Sequence, residues 1–236
     1  MKKLLFIWLL AFVCQIHAQR SDFETIGFEK ADRVAQSFKG EELDNLPVLA
    51  HNLTQGLNTD VERFRAIYTW VCQNIKSDFM LMRNNNNKHY KYQADSEEFQ
   101  KWHEEHKKYV ITRLLKEKQT LCSGYTFLVK ELATLAGIDC EIVDGFGKVG
   151  KTSLKNMKLP NHSWNSVKLN GKWYLCDPTW SSGYIDGDTY LFKFNYNDAY
   201  FLMDPQLFAE EHRPLDEKWT LVQTEKKFPV TASSNR

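Results

Sequence analysis

The dipeptide Asn170-Gly171 constrains the fold of this chain more than any other short segment, because it lies between two runs of apolar residues. Asn-Gly is the preferred centre of a two-residue type I′ turn, in which both residues take a positive φ. The segment therefore predicts an antiparallel β-hairpin in which Leu169 faces Lys172.

Helical patterns fill the first half of the sequence, and strand patterns follow. Apolar residues recur at helical spacing over residues 43–57, 60–75, 95–118 and 122–135. Strand patterns occupy residues 140–143, 163–169, 172–176 and 190–194. Asp60 is suited to cap the second helix, and the asparagine-rich run 83–88 has no apolar face and predicts a loop. Helices followed by antiparallel strands are typical of an α+β domain rather than of a doubly wound sheet.

The N-terminus carries the pattern of a secretory signal peptide. Two lysines precede an apolar run over residues 4–13, and a small-residue cleavage site ends at Ala18. The run is about half as long as a membrane-spanning helix needs, so we expect no membrane span. We predict a signal peptide over residues 1–18, a mature chain that starts at Gln19, and a periplasmic or extracellular location. With no Pro/Gly-rich linker in the remainder, residues 19–236 are expected to form a single domain.

Neither the charge balance nor the histidine spacing predicts nucleic acid or a metal as a partner. The 31 Lys and Arg residues nearly balance the 30 Asp and Glu residues, for a formal net charge of +1, so the chain lacks the electrostatic signature of a nucleic-acid-binding protein. His103 and His106 lie one helical turn apart, as in half of a metal site, but the surrounding charges favour a solvated helix face. We expect no nucleic-acid partner and no metal.

Four cysteines remain after the predicted cleavage. Cys72, Cys140 and Cys176 lie within apolar runs, where a free buried thiol is the ordinary expectation. Export would also permit a disulfide, and sequence alone does not fix a pairing. We favour free thiols over a disulfide for these three residues.

Cys122 differs from the other cysteines, because it lies where a loop becomes a helix. A cysteine is nucleophilic as the thiolate, which a helix N-terminus and a neighbouring imidazolium both favour. The small residues Ser123 and Gly124 are expected to leave the sulfur approachable. A lone cysteine at a helix start is most often structural, so a catalytic role also requires a base.

The hairpin register supplies that base. Continuing the pairing away from the turn places Trp164 opposite Asp177 and His162 opposite Thr179, which makes His162 and Asp177 diagonal neighbours on one face. A carboxylate there can hold the imidazole while its other nitrogen faces the cysteine. Each residue alone has an ordinary structural explanation, but their conjunction predicts a nucleophile, a base and an orienting acid at Cys122, His162 and Asp177.

Two further features lie close to this predicted site. The backbone N–H of Cys122 is the obvious first donor of an oxyanion hole, whereas nothing fixes the direction of nearby Gln119, and the second donor is left unassigned. Four large aromatic residues either line an acyl-binding groove or pack in the core, and we favour the core: Trp164, Trp173, Trp180 and Tyr184.

Several segments resemble the successive motifs of the transglutaminase-like superfamily: Leu121-Cys122-Ser123-Gly124-Tyr125, Ala136-Gly137-Ile138-Asp139-Cys140, His162-Ser163-Trp164-Asn165-Ser166-Val167 and Gly171-Lys172-Trp173-Tyr174-Leu175-Cys176-Asp177-Pro178-Thr179-Trp180. The helix 65–75 is also similar, and the tail 200–219 resembles the kyphoscoliosis-peptidase-like branch. One departure follows that helix, where the family often has Tyr-Asp and this chain reads Lys76-Ser77-Asp78-Phe79. The resemblance covers about residues 45–223.

The resemblance implies a papain-like fold, with N-terminal helices and the cysteine helix packed on an antiparallel sheet. It implies Cys122 as nucleophile, His162 as general base and acid, and Asp177 as the residue that orients His162. The expected function is an exported thiol-dependent acyl-transfer enzyme that acts on a protein or peptide substrate through a cysteinyl thioester, without a cofactor. Water as acceptor makes a peptidase or amidase, an amine makes a transglutaminase, and the alternative is a non-catalytic binding or scaffold module of the cell envelope.

Overall fold

A computed structural model describes residues 20–91 and 96–222 of the chain. The predicted signal peptide therefore lies outside the described residues. The helices are α1 (Glu29–Ser37), α2 (Leu46–Thr54), α3 (Asp60–Asn74), α4 (Phe79–Lys91), α5 (Glu97–Glu117), α6 (Cys122–Leu135), α7 (Pro178–Ser182) and α8 (Pro205–Ala209). The strands are β1 (Lys76–Ser77), β2 (Gln119–Thr120), β3 (Cys140–Gly147), β4 (His162–Leu169), β5 (Lys172–Cys176), β6 (Gly183–Ile185), β7 (Phe192–Phe194) and β8 (His212–Pro214).

Thr59, not Asp60, caps helix α3. The Thr59 backbone is extended, and its hydroxyl accepts a hydrogen bond from the backbone N–H of Glu62 while the Glu62 carboxylate accepts from the backbone N–H of Thr59. This reciprocal pair is a capping box. The prediction of Asp60 as the cap was wrong by one residue, because Asp60 already has helical geometry and contributes its charge to the first turn.

The prediction of a loop over residues 83–88 was also wrong, because α4 runs through this segment. The Asp78 side chain accepts a hydrogen bond from the backbone N–H of Leu81 at 2.9 Å at the start of the helix. Leu81 is buried against Val110 of α5 and Leu121. This anchoring of the first turn allows the polar asparagines to follow in helical conformation, where local sequence alone favours a loop.

Four strands form an antiparallel sheet in the order β5-β4-β3-β8. The β4–β5 hairpin has the predicted register near the turn, with Leu169 opposite Lys172 and Val167 opposite Tyr174. The predicted pairs Trp164–Asp177 and His162–Thr179 were wrong, because pairing stops at Asn165 and Cys176 where α7 begins. Both turn residues have positive φ, 49° at Asn170 and 79° at Gly171, as a type I′ turn requires. The predicted strand at 190–194 is shorter, since only Phe192–Phe194 pairs, in a separate two-stranded sheet with β6.

Helix α6 packs against β3 and β4 of the four-stranded sheet, and α2 and α3 pack against α6. One core cluster joins Tyr125, Leu128 and Leu132 of α6 to Val167 and Leu169 of β4. The organisation is the expected α+β arrangement, with the cysteine helix on an antiparallel sheet. Among the helices of residues 20–91 and 96–222, none is both long and apolar enough to cross a membrane.

Candidate active site

Cys122 is the first residue of α6 and is partly exposed. The preceding residue, Leu121, is the N-cap, and its aliphatic side chain cannot accept hydrogen bonds from the first backbone amides. The amides of Gly124 and Tyr125 bond back to the carbonyl of Leu121. The N–H groups of Cys122 and Ser123 lie ahead of this pattern, so they are the groups that a developing oxyanion can use.

Gly124 has a packing role instead of opening the way to the sulfur. A Cβ atom on Gly124 would lie 1.8 Å from Oγ1 of Thr120, whose side chain is fully buried. The first turn of α6 therefore sits directly on the end of β2. Our expectation that Gly124 makes Cys122 approachable was wrong, because Gly124 is itself buried and faces Thr120.

Asp177 is the centre of the hydrogen-bond network and is fully buried. Its Oδ1 accepts from the backbone N–H groups of Thr179 at 2.9 Å and Trp180 at 3.1 Å, which makes Asp177 the N-cap of α7. Its Oδ2 lies 2.6 Å from Nε2 of His162 and 3.0 Å from Nε2 of His212. Burial alone would raise the pKa of Asp177, but the two histidines hold it below its usual value.

His162 lies between Asp177 and Cys122. Burial acts to lower the pKa of His162, but the charge of Asp177 and the hydrogen bonds to Asp177 and Cys122 outweigh it and raise the pKa. Since Nε2 is used by Asp177, Nδ1 is the nitrogen left for Cys122. The ring stacks on Trp180, with centroids 4.9 Å apart. The structure thus brings together all three residues that the sequence predicted as the site.

Gly147 and Asn161 position the backbone and the side chain of His162. A Cβ atom on Gly147 would lie 2.9 Å from Cβ of His162, so only glycine allows the imidazole to lie this close to β3. The Asn161 side chain accepts from the N–H of Gly147 at 2.9 Å and donates to its carbonyl at 3.0 Å. These contacts fix the start of β4, and neither residue was predicted from the sequence as part of the site.

His212 is a third residue of the site that the sequence did not predict. It lies on β8, pairs with Gly147 of β3, and is 2% exposed. In the sequence, His212 lies in the C-terminal segment that resembles a known branch, and no role was predicted for it. A second donor to Asp177 could have been expected, because a buried carboxylate needs more donors than one imidazole supplies. Only the fold shows that this donor is His212.

His162, Asp177 and His212 also have the composition of a metal-binding group, with ligand atoms within 4.8 Å of one another. The separations of 2.6 and 3.0 Å are those of hydrogen bonds. Asp177 and the His212 ring are fully buried, and the carboxylate already has four hydrogen-bond partners. We therefore interpret the three residues as a hydrogen-bonded network.

A cavity of about 220 Å³ opens beside Cys122 and His162. Its walls are mainly apolar, and they include side chains from α4, the residue before α6, the loop after β3, α7 and β6: Phe79, Met82, Leu121, Val149, Trp180 and Ile185. Phe79 stacks on Tyr190 with centroids 4.9 Å apart, which joins the start of α4 to the β6–β7 hairpin. The Asp78 carboxylate also lines the cavity, but it pairs with Arg113 at 3.0 Å.

The aromatic residues near the site divide between core and cavity. Trp164 is fully buried and packs with Phe208, and Trp173 packs edge-to-face on Trp219, whereas Trp180 alone of the four lines the cavity. The fourth, Tyr184, is 52% exposed. The preference for core packing is therefore correct for Trp164 and wrong for Trp180.

Gln119 does not line the cavity, and its side-chain oxygen accepts a hydrogen bond from Arg113 at 3.2 Å. Leaving it out of the predicted oxyanion hole agrees with this placement. The other cysteines are free and buried, at positions 72, 140 and 176.

Comparison with known proteins places this site in a family. A model of the family described as "Transglutaminase-like superfamily" matches residues 47–178. The chain is 34% identical over 197 residues to the human protein named "Kyphoscoliosis peptidase", covering 83% of this chain and 27% of that protein. It is 25% identical over 222 residues to "Hillarin" of Drosophila melanogaster, covering 88% of this chain and 24% of that protein.

The chain thus spans about a quarter of the length of these relatives. A solved structure titled "Crystal structure of a TGase" aligns with a TM-score of 0.39 and 16% identity, over 80% of this chain and 40% of that chain.

Proposed function

The chain belongs to the transglutaminase-like superfamily, and from this membership we propose that it catalyses thiol-dependent acyl transfer at amide bonds. The observation that carries the proposal is the 2.6 Å hydrogen bond between His162 and the buried carboxylate of Asp177, with Cys122 and His162 lining the same cavity. The helix start supplies unbonded backbone N–H groups next to the sulfur. A nucleophile, a base, an orienting acid and an oxyanion site are the parts that acyl transfer requires.

In the first half-reaction, sulfur forms a bond to the substrate carbonyl carbon, and any thiol proton passes to Nδ1 of His162. The carbonyl oxygen becomes an oxyanion that the backbone N–H of Cys122 stabilises. The tetrahedral intermediate collapses when the C–N bond breaks, and the leaving amine takes the proton from His162. The products of this half-reaction are a free amine and a thioester on Cys122.

In the second half-reaction, an acceptor attacks the thioester and gives its proton to His162, which returns it to the sulfur as the C–S bond breaks. Water makes the enzyme a peptidase or amidase, and an amine makes it a transglutaminase. We favour water, because Cys122 is partly exposed and water reaches a thioester unless the site excludes it. Asp177 stabilises the imidazolium form of His162 in both halves.

The cavity favours a protein or peptide substrate with an apolar side chain beside the reacting amide. Met82, Val149 and Ile185 offer apolar surface in the cavity that Cys122 also lines, and burying an apolar side chain there contributes about 1.5–3 kcal/mol. The carboxylate of Asp78 is neutralised by Arg113, so it gives little attraction for a cationic substrate. A peptide screen that varies one position between leucine, lysine and glutamate tests this preference, and faster turnover of lysine would contradict it.

The rival proposal is a scaffold that keeps the fold without turnover, and thiol reactivity separates the two. Burial raises the pKa of the thiols of Cys72, Cys140 and Cys176, whereas Cys122 is partly exposed beside a histidine. We expect iodoacetamide near neutral pH to label Cys122 at least about tenfold faster than the other three. The His162→Gln variant is the matched control, and labelling that is uniform, or unchanged in this variant, favours the scaffold.

We further propose that the protein is exported to the periplasm or the extracellular space and that residues 19–236 act as one domain. The support is the sequence pattern of residues 1–18. A role in the cell envelope is part of the scaffold alternative only.

A further inference from the structure

We propose that His212 is a positioning residue of this site, which donates a hydrogen bond to Asp177 and so limits how tightly Asp177 holds the proton of His162. The inference rests on the proposed function, in which His162 has to release a proton to the leaving amine. It assigns a fourth residue to a site for which the sequence predicted three.

The position of His212 is fixed from several sides. Its ring stacks on Phe208 with centroids 3.8 Å apart, and the centroid of the Trp180 ring lies 4.4 Å from that of His212. Trp164 meets the ring edge-on at 5.0 Å. Since these rings are bulky and His212 is buried, its Nε2 has no room to leave Asp177.

The protonation state of His212 follows from its surroundings. Burial lowers the pKa of His212, and the positive charge of His162 lowers it further, although Asp177 acts in the opposite direction. The neutral ring carries one proton. Both neighbours of the ring can only accept, so the single proton belongs on Nε2, where the charged Asp177 carboxylate at 3.0 Å is the nearer and stronger acceptor, and not on Nδ1, which lies 3.3 Å from the carbonyl of Phe208.

The hydrogen bonds of Asp177 show what His212 contributes. An ionised carboxylate offers about four acceptor sites, and here two go to backbone N–H groups, one to His162 and one to His212. Without His212, one site of a fully buried carboxylate would be empty. The negative charge of Asp177 would then interact more strongly with His162. His162 would hold its proton more tightly and release it to the leaving amine more slowly.

Few other ionisable groups face His212 within the described part of the chain. From the segment before α8, the Tyr200 ring lies at 6.3 Å, and its hydroxyl donates to Glu211 at 2.9 Å. Asp177 and His162 are the groups in direct reach. A change at His212 is therefore expected to act first on these two residues.

The test compares His212→Gln with His212→Leu in the full chain, with ¹⁵N-labelled histidine followed by NMR and the His162 signal assigned from the His162→Gln variant. Glutamine can still donate to Asp177, so its His162 titration and kcat should stay close to wild type. Leucine cannot donate, and we expect the pKa of His162 to rise by about half a unit or more. In that variant kcat should fall by up to about threefold for each half unit of this rise, with KM nearly unchanged.

A His162 titration that is the same in a folded His212→Leu protein as in wild type would overturn the proposal, because a packing role alone leaves it unmoved. Equal loss in both variants would also overturn it. If the leucine variant does not fold, His212→Asn decides, since its shorter amide falls short of Asp177 and should raise the pKa of His162 in the same way. The NMR titration needs no substrate, so it tests the role of His212 even if the protein shows no turnover. An absence of turnover in the wild-type protein would refute the proposed function alone.

Discussion

Asp177 lies one residue beyond the last paired position of β5, yet its Oδ2 is 2.6 Å from Nε2 of His162 at the far end of β4. The paired register ends at Asn165 opposite Cys176, because Pro178 begins α7. Asp177 can therefore cap that helix with Oδ1 and hold the imidazole with Oδ2. One carboxylate thus joins the local geometry of the chain to the chemistry of the site.

Replacing Asp177 by asparagine should reduce turnover, whereas replacing its neighbour Cys176 should reduce stability. Asp177→Asn keeps the size of the side chain but removes the charge that stabilises the imidazolium, so kcat should fall by about 10³-fold or more. Cys176→Ser is the matched control, because Cys176 is fully buried in the core on the preceding position. It should cost about 1–2 kcal/mol of stability and leave turnover per folded molecule nearly unchanged. The reverse pattern would refute Asp177 as the orienting acid.

Removing the thiol of Cys122 should abolish turnover without unfolding the protein. Cys122 is only partly buried, against Leu81, Val110 and Leu121, so Cys122→Ala should change the free energy of unfolding by less than about 1 kcal/mol. Activity with a peptide amide and the thermal midpoint are measured on the same preparation. Substantial turnover in the folded variant would exclude Cys122 as the nucleophile.

Adding a methyl group at Gly147 should displace His162. The new Cβ would lie 2.9 Å from Cβ of His162, an atom next to the backbone that cannot turn away. We expect Gly147→Ala to reduce kcat by about 10–100-fold, because a small misplacement of the base is costly. Gly187→Ala is the control, since nothing lies within 4 Å of its Cβ position. Equal activity of the two variants would show that the site tolerates the shift.

The His162–Asp177 pair should stabilise the protein most at mildly acidic pH. The pKa of His162 is raised on folding, so its contribution is complete below the ordinary histidine pKa of about 6.5 and declines as pH rises through the folded value. The pKa of Asp177 is lowered, so the same pair loses stability as pH falls below about 4. The difference in unfolding free energy between wild type and His162→Gln should therefore shrink by about 1 kcal/mol or more from pH ~6 to pH ~9. A constant or growing difference would contradict the raised pKa.

The predicted cleavage can be tested without any activity. Expression in a bacterial host with an intact export pathway, followed by mass spectrometry of the exported protein, should give a mature N-terminus at Gln19. Replacing Ala18 by a bulky residue should block processing. Retention of Met1 in an exported product, or a lipid on Cys14, would contradict the prediction.

Much of the site could be predicted from sequence, because its parts depend on local rules. A two-residue Asn170-Gly171 turn sets the register of its hairpin, and the period of two then decides which residues share a face. This places His162 and Asp177 near the same end of the hairpin, although the paired register itself stops at Asn165 and Cys176. Cys122 follows from the change of a loop into an apolar helix.

Only the tertiary structure decided the rest. The remaining contacts join segments that are far apart in the sequence, and no local pattern predicts that they meet. His212 meets Asp177 through the pairing of β8 with β3, and no periodicity connects those two residues. The helix at 83–88 depends on Leu81 packing against α5, which outweighs the local preference of asparagine for loops. The sequence by itself determined the hairpin, the helix start and the three residues they carry, whereas the packing of distant elements decided how the carboxylate is satisfied and which side chains form the cavity.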